Sequence, residues 1–287
     1  DAELPLLDVW YQSIPVDAVL DALLPRASAK TRRATSKALR KTRSRTNLGA
    51  LERFAQHTDG GWRIRPEPPL IVRYDRHDDV DDALRRVFAN YARTLAPERR
   101  ALFRRYRLAD FARKVVGVGS VGTEAFMFLF IGPQGDDPLF LQLKQAGPSV
   151  LAPYVGARAS GNDGRRVVEG QRLMQAASDV FLGWASGGPD GNQDFYVRQL
   201  RDMKGSAEIE HMAPRELDVY AALCGATLAR AHARSGQAPA IAGYLGRGHA
   251  FDRAVAAFAA DYADQTERDH RALTDAITDG RLETRDA

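Results

Sequence analysis

The chain has 287 residues, 44% hydrophobic and 27% charged, with a formal net charge of +4. That is an ordinary soluble globular balance with ample chain for a buried core, in one large or two modest domains. Cys224 is the only cysteine, so internal disulfides and cysteine-based zinc sites are excluded and a reducing cytosol is expected. No apolar run approaches membrane-spanning length, and the acidic start DAELPLLDVW lacks the layout of a secretory signal. The histidines never approach an H-E-x-x-H spacing, so a metal-hydrolase reading has no support.

Residues 1–105 read as mostly helical. Val16–Leu48 carries leucines at helical spacing, and Asp78–Leu95 forms a second helix opened by an acidic cluster that complements the helix dipole. Within the first run, Arg26–Arg45 holds nine lysines and arginines with no acid between Asp21 and Glu52. Such a block suits an acidic partner or polyanion, although it has no aromatic residue to stack on bases. It also fits a helix whose outer face is simply solvated. Between the helices, residues 60–73 suggest an irregular strand or ribbon, since their prolines rule out a central strand.

Residues 106–206 form the β-rich part. The stretch KVVGVGSVGT places Gly117, Gly119 and Gly122 in a G-x-G-x-x-G pattern, with Ser120 among them. Glycines let a backbone approach phosphate oxygens and aim N–H groups at them. Two unrelated folds use such a pattern, one with a helix directly after the glycines and one with a strand. The segment Thr123–Ile131 is short, rich in phenylalanine and closed by Gly132-Pro133-Gln134-Gly135, which favours the strand. Lys144 follows in the apolar strand Leu139–Leu143 and just beyond it, in a chain that uses arginine almost everywhere else. Residues 165–184 then show helical periodicity and offer Glu169 as a partner that would fix Lys144 on nucleotide phosphates. A strand over Asp194–Asp202 leads toward a hinge that would hold an adenine, with Gln199, Leu200 and Arg201 as candidates. A purely structural glycine hairpin remains open, as does a Rossmann unit.

Residues 207–287 turn helical again, over Glu216–Arg234, Phe251–Tyr262 and Glu267–Thr278. Breaks fall at Ser235-Gly236, Gly246-Arg247-Gly248 and Gly280. His232 ends the first of these helices as a cation suited to the dipole.

The stretches RKVVGVGSVGT, PLFLQLKQA, RVVEGQRLMQAASDVFLGW, DFYVRQLRDMKGS, LARAHARSG and AIAGYLG resemble a bacterial family, domain of unknown function 2252. The resemblance runs over nearly the whole chain. It implies an α+β fold with a protein-kinase-like, β-rich nucleotide lobe and flanking helical regions, related to aminoglycoside phosphotransferases with lobes in permuted order. It also implies ATP with Mg2+ as the ligand, Gly117, Gly119, Ser120 and Gly122 as the phosphate loop, Lys144 as the phosphate lysine and Glu169 as its partner. Full members of the family carry a G-D-x-H-x-x-N catalytic segment ahead of the part matched here. The chain has no such segment and no H-R-D or D-F-G. It is therefore expected to be either a fragment whose catalytic part lies upstream or a binding-only relative, with a non-catalytic interaction domain as the alternative.

Overall fold

The computed structural model describes residues 3–13, 33, 47–74, 78–115, 122–156, 161–187, 193–200 and 209–283. Its centre is a six-stranded antiparallel sheet in the order β3-β4-β5-β6-β8-β7. The strands are β3 (Ile71–Arg73), β4 (Arg107–Lys114), β5 (Ala125–Ile131), β6 (Pro138–Ala146), β7 (Gly183–Gly187) and β8 (Gln193–Gln199). A separate hairpin of β1 (Ala55–Thr58) and β2 (Gly61–Ile64) lies against β4. Mixed helices and antiparallel sheet make this an α+β fold.

Strand β5 reads AFMFLFI because both of its faces are covered, so its apolar residues run on instead of alternating with polar ones. On one face Phe128 and Phe130 meet Phe88 and Tyr91 of α3 (Asp78–Arg93) and Phe103 of α4 (Pro97–Phe103). The Phe88 ring stands edge-on to Phe128 and Phe130, with centroids 4.8 and 5.0 Å away, the favoured geometry for aromatic pairs. On the other face Met127, Leu129 and Phe140 meet Ala50, Leu51 and Phe54 of α2 (Asn47–Phe54), together with Ile64 of the hairpin. Asp110 of β4, only 1% exposed, pins this face. Its carboxylate accepts the Ile64 N–H at 2.8 Å and pairs with Arg73 of β3 at 3.2 Å.

The sheet recruits β3, α3 and α4 from residues 1–105, the stretch read as mostly helical with a ribbon over residues 60–73. Edge strand β3 follows the prolines at 66, 68 and 69, where a missing N–H costs no ladder bond. Beyond the sheet come α7 (Pro214–Ser235), α8 (Ala238–Leu245) and α9 (Ala250–Thr278), after the short α1 (Leu6–Tyr11), α5 (Ala152–Val155) and α6 (Asp163–Met174). Where two helices were expected with a break after Tyr262, α9 is continuous, since residues 263–266 contain neither glycine nor proline. No helix among the described residues is long and apolar enough to cross a membrane.

Candidate functional site

The glycine stretch joins β4 to β5 as an antiparallel hairpin, with Arg113 opposite Phe126 and Val115 N–H bonded to the Leu70 carbonyl. A strand, not a helix, follows Gly122, which removes the Rossmann alternative. Asp137, near the spacing of a ribose-binding acid, instead closes the β5–β6 turn and accepts the Tyr106 hydroxyl at 3.1 Å. Gly122 has φ +82, a conformation that glycine adopts without strain. Gly117, Gly119 and Ser120 lie outside the described residues.

Lys144 sits in β6 with Ala125 of β5 on one side and Tyr196 of β8 on the other, and Tyr196 pairs in turn with Trp184 of β7. One step along, the row is Met127, Gln142 and Arg198. Side chains two apart on a strand share a face, so Lys144, Gln142, Tyr196 and Arg198 share the face of Met127. Burial lowers the Lys144 pKa, and the positive Arg198 nearby lowers it further; burial raises that of Tyr196.

Two hydrogen-bond donors on this face have no acceptor: Nε2 of Gln142, a residue 3% exposed, and Nε of Arg198. Buried donors are nearly always satisfied, and two cations side by side repel. No ion pair compensates Lys144 or Arg198 among the described residues. This group has the chemistry of an anion site. Nothing in the sequence marked Gln142 or Arg198 as special; only the β6–β8 register assembles them with Lys144.

Helix α6 packs against β7 and β8. Asn162 caps it, accepting the Arg165 N–H at 2.7 Å and donating to Ser186 at 2.8 Å, while Asp194 of β8 accepts the Asp163 N–H at 2.8 Å. Gly164 comes so close to the sheet that a Cβ there would lie 2.1 Å from the Phe195 carbonyl oxygen. Arg165 and Arg172 both reach over the Trp184 ring. The expected Lys144–Glu169 ion pair is not formed. Glu169 is exposed and takes Arg165, one turn earlier, at 2.7 Å, the favoured local partner for a helical carboxylate.

At the hinge candidates, the Gln199 N–H and side-chain amide both bond to Asp179, at 2.5 and 2.8 Å. The Leu200 N–H donates to the Phe140 carbonyl at 2.9 Å. Those two backbone donors are already engaged, and Arg201 lies outside the described residues. So does the basic stretch Arg26–Arg45, apart from Arg33, which is helical and exposed. Among the described residues, no group of histidine, cysteine, aspartate or glutamate side chains could hold a metal ion.

The family model for an uncharacterised protein conserved in bacteria, domain of unknown function 2252, matches residues 1–276. The chain belongs to that family. No curated protein and no solved structure matches it.

Proposed function

We propose that the sheet face around Lys144 binds the phosphate tail of a nucleotide, ATP with Mg2+, and that the chain is the nucleotide-binding part of a kinase-like protein. The observation that carries this reading is the uncompensated set of Lys144, Arg198 and the orphaned Gln142 amide beside a glycine hairpin. Lys144 supplies a compact positive charge, Arg198 a planar fork suited to two phosphate oxygens, and Gln142 a neutral donor. By the sequence pattern, the glycines at positions 117, 119 and 122 would add backbone N–H groups. Glu169, held by Arg165, leaves Lys144 free to act on phosphate alone. The magnesium ion would arrive on the phosphates, since the described residues bring no carboxylate cluster to it.

Thermal unfolding with and without Mg-ATP tests it. Nucleotide at about 100-fold over its dissociation constant adds roughly 2.7 kcal/mol, a rise of several degrees. Lys144→Ala and Arg198→Gln should each abolish that rise while the nucleotide-free protein melts as before. A rise that survives both substitutions places the nucleotide elsewhere.

A further inference from the structure

A second site lies on the opposite face of the sheet. A cavity of about 490 Å³ opens between α3, α4 and the ends of β4 and β5, within the size range of small-molecule pockets. Its apolar wall comes from Leu84, Phe88, Phe103, Leu108 and Phe130. Its remaining charged lining is all of one sign: Arg85, Arg93, Arg100 and Arg104, with no carboxylate among the lining residues.

The helices explain the arrangement. Leu84, Phe88 and Ala92 lie four apart on α3 and turn to the core, while Arg85, Ala89 and Arg93 form the adjacent stripe. Arg100 of α4 and Arg104, the residue capping its C-terminus, flank Phe103. Part of this charge is already committed. Arg85 pairs with Asp82 at 3.2 Å, and Arg93 donates to Asn90. The Arg100 Nη2 reaches the Leu95 carbonyl at 3.4 Å, but its Nε is buried with no acceptor. The hydroxyl of Tyr106, another lining residue, is spent on Asp137.

We propose that this cavity binds a small organic carboxylate with an apolar chain or ring, its body against Phe88, Phe103 and Phe130 and its head on Arg100 and Arg93. Apolar walls remove the tail from water. Arg93 and Arg100, both in the lining, supply the positive guanidinium charge that a carboxylate matches. A neutral alcohol would leave those guanidiniums uncompensated, and an ammonium would meet like charge. This site is independent of the nucleotide reading.

Calorimetric titration of the full chain with octanoate, octanol and octylammonium tests the assignment. Octanoate should bind at one saturable site, at least about tenfold more tightly than either of the others, the worth of a charge-assisted hydrogen bond. The combined change Arg93→Gln and Arg100→Gln should lower octanoate affinity by about tenfold or more. Ala89→Trp, at an exposed position on the cavity mouth, should block binding without touching the core. Octanol binding as tightly as octanoate would overturn the proposal, as would unchanged octanoate affinity in both variants. If a variant fails to fold, the ranking of the three ligands on the unaltered protein decides alone.

Discussion

Residues 71–199 and residues 214–278 spend their side chains differently. In the first region, helices press apolar stripes onto a sheet that is covered on both faces, and aromatic rings interlock at centroid separations near 5 Å. In the second, among the described residues of α7, α8 and α9, only Glu216, Ala233 and Ala276 are buried, while Phe251, Val255, Phe258 and Tyr262 line an open stripe of α9. Helical propensity and side-chain pairs one turn apart, such as Arg271 with Glu267 at 3.4 Å, hold the second region, whereas burial holds the first. Equivalent substitutions should therefore have opposite or very unequal effects in the two.

The largest contrast comes from carboxylates. Asp110→Ala strands Arg73 and the Ile64 N–H, and should cost about 3 kcal/mol in urea unfolding. Asp269→Ala on α9 should stay within about 0.5 kcal/mol. If the two changes cost the same, the claim of unequal packing fails.

Glycines give the sharper version. Gly164→Ala drives a methyl into the Phe195 carbonyl and should lose roughly 1–3 kcal/mol. Gly225 lies inside α7 with open space around its Cα. Gly225→Ala should raise stability by up to about 1 kcal/mol. Amide hydrogen exchange checks the same difference without mutation: β5 and β6 should exchange only through global unfolding, and α9 through smaller openings.

Smaller in stability, but decisive for the proposed nucleotide, is Lys144. Because no ion pair among the described residues is lost, removing this half-buried cation should change stability by about 1 kcal/mol or less and leave the melting temperature within a few degrees. The pH dependence has a definite sign. Because burial and Arg198 lower the Lys144 pKa, its ammonium is lost at a lower pH than usual. Nucleotide affinity should fall as pH rises through that value, and Lys144→Arg should move the fall to higher pH. An affinity flat from neutral to alkaline pH would separate Lys144 from the ligand.

The strands around the glycines were legible because their chemistry is local. AFMFLFI is too short and too apolar for an exposed helix, and the glycine-proline turn after it fixes the hairpin. Strand β7 was not legible, because GWASG carries two glycines and a serine and gains strand character only from its ladder with β8. Helix α8 hid behind its proline and glycine. For Glu169 the competing signal was present all along: Arg165 stands one turn ahead of it on the same helix, and a local partner forms more readily than one on a distant strand. The anion cluster needed register. Gln142 and Arg198 are unremarkable in their own stretches and share a face with Lys144 only when β6 and β8 pair.

The seating of α6 limits what a ligand can do to Glu169. With Asn162 and Asp194 clamping the first turn and Gly164 wedged on the Phe195 carbonyl, that end of the helix is a fixed pivot. A swing of the whole rod toward Lys144 would have to tear out this anchor. Before the Glu169 carboxylate could take any other partner, Arg165 would have to let it go.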